Sequence, residues 1–111
     1  MDRETFDKYY RNILRKASEV RREKESEYFS VEDVLSNLKR IALFRGTETP
    51  VTIMDLGAKS LISISSMVND EFAPGGLISD ECATLEQWDE KFVDAINYLF
   101  KLYASIREIR E

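Results

Sequence analysis

The sequence contains no histidine and a single cysteine, Cys82. A protein without histidine cannot use an imidazole as a general base, a triad member or a zinc ligand. One cysteine excludes an internal disulfide and a multi-cysteine metal cluster. Any metal would therefore be a hard cation such as Mg²⁺, held by carboxylate and amide oxygens.

Long apolar runs and an excess of basic charge are also missing. No apolar run approaches the roughly 20 residues that cross a bilayer, and residues 1–10 lack the apolar core of a signal peptide. We therefore expect a cytoplasmic protein without a membrane partner. The net charge of −5 disfavours broad nucleic-acid binding, because neutralising phosphates requires a basic surface.

The apolar pattern predicts four helices in an all-α protein. Apolar residues recur with a spacing of three and four over about 3–25, 31–44, 50–68 and 85–110. Helix-end signals frame these stretches, namely Asp2 as an N-cap, Gly46 as a stop, Thr49-Pro50 as a start and a capping box opened by Thr84. We predict a four-helix bundle with two long outer helices and two shorter inner ones. Apolar flanks and projecting helix ends further predict a homodimer.

A glycine inside the third helical stretch and a non-periodic segment after it each allow two interpretations. Gly57, inside the third predicted helix, indicates either close approach by another helix or simple tolerance of a glycine. The stretch 69–84 has no helical periodicity, contains Pro74-Gly75-Gly76 and carries several acids. We expect it to be a mobile acidic loop within a single domain that spans residues 1–111.

Polar residues at helical spacing are the candidates for chemistry. The last predicted helix carries a polar row, and its apolar flanks predict that this row is enclosed. Two carboxylates one turn apart can hold Mg²⁺, which in turn can hold a polyphosphate. Candidate metal ligands are Glu90 and Asp94, and candidate ligand-binding residues are Asp33, Asn37, Lys59, Asp94 and Asn97. The alternative is that these residues form solvated helix faces and surface ion pairs such as Asp55–Lys59.

Three segments together resemble a known family. They are YFSVEDVLSNL followed by KRIALFRG from residue 28, TPVTIMDLGAKS at 49–60, and FVDAINYLFKLYAS at 92–105. Their order resembles the phage and prophage nucleotide-modification-associated all-helical family. That family is in turn similar to the MazG and dimeric dUTPase all-α nucleotide pyrophosphatases. The resemblance covers roughly residues 20–107, and DAINYL is its most specific part.

The resemblance implies a MazG-like, phage-encoded protein that handles a nucleotide in the host cytoplasm. In the pyrophosphatases, acids on two helices bind Mg²⁺, which grips a triphosphate while water attacks it. The matching positions here are Asp94 and Asn97, with Asp33 and Asn37 on the second helix. The third helix has Lys59-Ser60 where the family has a lysine–histidine pair. Lys91 stands three residues before Asp94, where the pyrophosphatase pattern has a glutamate.

Three functions follow as hypotheses. The first is a nucleotide-binding or nucleotide-sequestering protein, a catalytically reduced relative of the pyrophosphatases. The second is an active Mg²⁺-dependent nucleotide pyrophosphatase. The third is an acidic interaction factor that inhibits a host protein through the predicted loop. No residue is assigned a catalytic role.

Overall fold

The computed structural model describes residues 1–28, 33–75 and 82–111, with the side chains of the first range described up to residue 25. These residues form four α-helices: α1 (Arg3–Tyr28), α2 (Ser36–Arg45), α3 (Thr49–Phe72) and α4 (Leu85–Arg110). No strand occurs in the described ranges, so the prediction of an all-α protein is confirmed. The expected division into two long and two short helices is wrong, because α3 has 24 residues against 26 in α1 and α4.

Several helix ends form as the local sequence predicts. The Thr5 N–H donates to Asp2 Oδ1 at 2.8 Å, which caps α1. At the start of α4, the Gln87 N–H donates to Thr84 Oγ1 at 3.1 Å and the Thr84 N–H donates to Gln87 Oε1 at 2.8 Å. Gly46 ends α2 with a φ of 71°, a left-handed conformation that glycine adopts without steric cost.

Two helix boundaries differ from the prediction. The helix α2 begins at Ser36, whereas a capping box of Ser30 and Asp33 predicts a start at Val31. Ser30 lies outside the described ranges, but Asp33 does not. The Asp33 carboxylate accepts the Leu35 N–H at 2.9 Å, and this local turn keeps residues 33–35 out of the helix. The helix α3 begins one residue early and continues to Phe72. Residues 69–72 of the predicted loop are therefore helical, and residues 76–81 lie outside the described ranges.

The helix α4 is the centre of the described fold. Both α1 and α3 pack against α4, and α2 packs against α3. Each helix contributes only one or two buried apolar residues, and Leu35 at the start of α2 adds one more. In the described ranges these residues are Ala17, Leu35, Ala42, Ile53, Val93 and Ala95. Gly57 of α3 is buried, and a Cβ added to it would lie 3.0 Å from the Tyr98 Cβ of α4. The glycine therefore marks a close approach of two helices.

The length and composition of α3 are those of a helix that can cross a membrane. This differs from the sequence expectation, which found no apolar run of sufficient length. A mostly buried core helix of a soluble protein meets the same criterion, but only 17 % of the apolar window of α3 is buried, although α3 packs against both α2 and α4. The criterion alone therefore assigns no membrane role to α3.

Candidate functional site

A cleft of about 230 Å³ opens beside α4 between α1 and the residues that precede α2. We call it the α1–α4 cleft. Its lining combines cationic, acidic, amide and aromatic side chains, a mixture that is suited to an organic anion. The lining residues are Arg21, Lys24, Glu25, Val34, Leu35, Asp94, Asn97, Tyr98, Phe100, Lys101 and Ala104.

Helical periodicity brings the α4 residues of the cleft together. Asp94, Asn97 and Lys101 follow one another at spacings of three and four, so they project on the same side of α4. The Asn97 Nδ2 donates to the backbone carbonyl oxygen of Ala17 at 3.1 Å. One amide donor of Asn97 therefore fixes α1 against α4 and positions the basic last turns of α1 over the cleft.

The charges of the cleft are only partly compensated. The Arg21 Nη1 donates to Glu25 Oε1 at 2.9 Å, which neutralises the acid contributed by α1. Burial lowers the pKa of Lys101 below its usual value, and nearby Lys24 lowers this pKa further, against the opposite effects of Glu25 and Asp94. The Lys101 Nζ lies 5.4 Å from the centroid of the Tyr98 ring. Burial and Lys24 thus oppose the positive charge of Lys101, whereas Glu25, Asp94 and the Tyr98 ring favour it, and a bound anion would favour it further.

The structure brings two of the predicted site residues into this cleft, Asp94 and Asn97. Asp33 precedes Val34, which lines the cleft, but the Asp33 carboxylate accepts a hydrogen bond from Lys39 Nζ at 2.7 Å. Lys39 also pairs with Glu108 at 2.6 Å, so Asp33 belongs to an ion-pair network between α2 and α4. Asn37 and Lys59 are exposed and are not among the residues that line the cleft. Their roles in ligand binding stay predictions.

The predicted metal ligands do not share a cleft. Glu90 lines a second cleft with Asp70, Glu71 and Cys82, whereas Asp94 lines the α1–α4 cleft. Within the described ranges, no three side chains of aspartate, glutamate or cysteine converge in a way that can hold a metal. The other acid beside Asp94, Glu25, is bound by Arg21. This donor set does not fit a Mg²⁺ held by the protein alone, and no chemical step is derived through one.

The sequence patterns did not place the basic and aromatic members of the cleft at the predicted site. Arg21 and Lys24 belong to the basic stretch 11–24, whose pattern favours a solvated helix face and leaves a patch for a phosphate-bearing ligand as the alternative. Lys101 is the last member of the polar row of the fourth predicted helix. The signal that could have found Lys101 is its four-residue spacing from Asn97. The pattern of one helix does not reveal which neighbouring helix faces it, so the contribution of α1 was not predictable.

No protein-family model, curated protein or solved structure matches this chain. The resemblance to the phage nucleotide-modification family and to MazG therefore stays an expectation from sequence segments. The geometry and the charges of the α1–α4 cleft carry the functional argument.

Proposed function

We propose that the protein binds a nucleotide in the α1–α4 cleft without hydrolysing it. The observation that carries this proposal is the lining of the cleft, where Lys24 of α1 and the half-buried Lys101 lie beside the aromatic rings of Tyr98 and Phe100. Burial and then Lys24 lower the pKa of Lys101, which is consistent with a place for an anion. Burying a charge is unfavourable unless an opposite charge compensates it. A bound phosphate would supply that charge. It would offset part of the desolvation cost of the half-buried Lys101 ammonium group.

The rest of the lining suits the organic part of a nucleotide. Tyr98 and Phe100 lie on the wall of the cleft, and the Phe100 side chain is 54 % exposed. Aromatic rings stack on nucleobases, and each stacked base contributes about 1–3 kcal/mol. Asp94 can accept hydrogen bonds from sugar hydroxyl groups or from base amino groups. The proposal therefore assigns the phosphate to Lys101 and Lys24 and the base to the aromatic wall.

Binding is favoured over hydrolysis because Glu90 and Asp94 line different clefts.

The proposal includes a MazG-like relationship, a phage origin with residence in the host cytoplasm, and a homodimer. The hypothesis of an inhibitor of a host protein rests on the acidic stretch 70–81, of which residues 76–81 lie outside the described ranges. No observation on the described residues favours that hypothesis.

Thermal unfolding with nucleotides tests the proposal. The nucleoside and deoxynucleoside mono- and triphosphates should be added with and without Mg²⁺. A ligand at a hundredfold excess over its Kd stabilises the folded state by about 2.7 kcal/mol, which raises Tm by about 10 °C for a chain of this size. No shift with any nucleotide would refute the proposal. Release of pyrophosphate only in the presence of Mg²⁺ would replace it with the pyrophosphatase hypothesis.

A pair of lysine variants locates the binding site. Lys101→Met keeps the length of the side chain and removes the charge, so the Kd measured by calorimetry should rise about tenfold or more, the loss of a charge-assisted contact of roughly 1.5–3 kcal/mol. Lys91→Met is the matched control, since Lys91 is a half-buried lysine of α4 that lines the other cleft. Equal affinities of Lys101→Met and the unmodified chain would show that the cleft is not the site.

A further inference from the structure

The helices α3 and α4 expose a continuous apolar surface. Each helix contributes apolar residues seven positions apart, and α3 adds Phe72 four positions after Val68. These residues lie on one side, because a helix drifts by only about 20° over seven residues and by about 40° over four. These side chains are 41 % to 70 % exposed. We call this surface the α3/α4 apolar face, and its residues are Met54, Leu61, Val68, Phe72, Phe92 and Leu99.

Contacts along the face show that its two halves adjoin. Met54 and Leu61 of α3 line one groove together with Leu99 of α4. At the other end, Trp88 bridges the helices, with its ring centroid 6.3 Å from that of Phe72 and 6.3 Å from that of Phe92. Lys101 is two residues beyond Leu99, about 200° around the helix. The face and the α1–α4 cleft therefore lie on opposite sides of α4.

The accessible surface and the radius of gyration both exceed those of a compact monomer of this mass. The accessible surface is 8610 Å² for a mass of 12.9 kDa. A folded monomer of this mass exposes about 6,300 Å², so the excess is about 2,300 Å². The radius of gyration is 16.6 Å, against about 13 Å for a compact domain of this length. Obligate homodimers bury about 1,000–2,500 Å² on each copy, which matches the excess.

We propose that a second copy of this chain covers the α3/α4 apolar face. In the described ranges only six apolar residues are buried, so a lone copy has little apolar burial to offset the entropy of folding. The partner that packs on this face must therefore be available whenever the chain folds. A second copy of the same chain is always available. A membrane fits less well, because α3 carries Asp55 and Lys59, and Asp55 pairs with Arg45 at 2.6 Å. This proposal does not depend on nucleotide binding.

Two neighbouring variants of α3 test the face. Leu61→Glu places a charge in the proposed interface and should weaken dimerisation at least a hundredfold, as measured by sedimentation velocity across protein concentrations. Ile62→Glu is the matched control, because Ile62 is 66 % exposed but points about 100° away from Leu61. This variant should dimerise like the unmodified chain. A Leu61→Glu dimer of normal affinity, or equal loss in both variants, would overturn the assignment.

The unmodified chain provides a measurement that does not depend on a variant folding. If folding and dimerisation are linked, the midpoint of thermal unfolding should rise with protein concentration. A molecular mass of one chain at 100 µM with a concentration-independent midpoint would overturn the proposal. Co-sedimentation of single chains with neutral phosphatidylcholine vesicles would overturn it in favour of a lipid surface.

Discussion

Replacement of Gly57 by alanine tests how closely α3 and α4 approach. An added Cβ would lie 3.0 Å from the Tyr98 Cβ, 3.4 Å from its Cγ and 3.7 Å from its Cδ1. The nearest atom is attached to the backbone of α4, so a change of rotamer cannot move it. The two helices must instead separate by a few tenths of an ångström, which disturbs the packing of buried Ile53 and Ala95 on either side.

The expected magnitude is a balance of two opposing effects. Alanine stabilises a helix by about 0.8–1.0 kcal/mol relative to glycine. Overpacking of a close contact costs about 1–3 kcal/mol. The net result of Gly57→Ala is a loss of roughly 1 kcal/mol in the free energy of unfolding, which lowers Tm by about 4 °C for a chain of this length.

The measurement is thermal unfolding at one fixed protein concentration, so that any dimerisation contributes equally. The variants Ser66→Ala and Ser66→Gly are the control, because Ser66 is exposed on the same helix. There alanine should exceed glycine by about 1 kcal/mol. If Gly57→Ala raises Tm by the amount seen at position 66, then α3 and α4 are not in contact at Gly57.

Two further predictions concern the contacts of α4 and α2. Asn97→Ala removes the hydrogen bond to the Ala17 carbonyl and should lower Tm by about 2–6 °C, the effect of roughly 0.5–1.5 kcal/mol; an unchanged Tm would contradict the anchoring role. The bond from Lys39 and then the Leu35 N–H lower the pKa of Asp33, so its stabilisation is present above pH 3.8 and is lost as the pH falls through the lowered pKa. Asp33→Asn should therefore flatten the acid limb of a Tm-against-pH curve, and an unaltered limb would contradict this account.

Local sequence signals predicted those parts of the fold that depend on neighbouring residues. The caps at Asp2 and Thr84 and the left-handed Gly46 each need only a few adjacent residues, and all three form. The predicted start of α2 is wrong, and the cause is again a local hydrogen bond. Asp33 was read as part of a capping box, but its carboxylate bonds the Leu35 N–H and competes with the helix.

The site was predictable only where it lies on one helix. The spacing of Asp94 and Asn97 placed both residues on one side of α4, and both line the cleft. The same reasoning placed Glu90 one turn from Asp94, and the two residues line different clefts, because the neighbours of α4 divide its polar side between them. Joint metal binding by this pair stays a prediction. The basic residues of α1 reach the cleft through tertiary packing, which no periodicity encodes.

Tyr98 connects the packing of α3 and α4 to the candidate site. Its Cβ rests against Gly57, and its side chain lines both the groove beside Leu99 and the α1–α4 cleft. The Lys101 ammonium lies over its ring. Any change that separates α3 from α4 at Gly57 must therefore also displace a wall of the cleft. Since a shift of this kind alters both packing and the surroundings of Lys101, Gly57→Ala should weaken nucleotide binding even though Gly57 does not line the cleft.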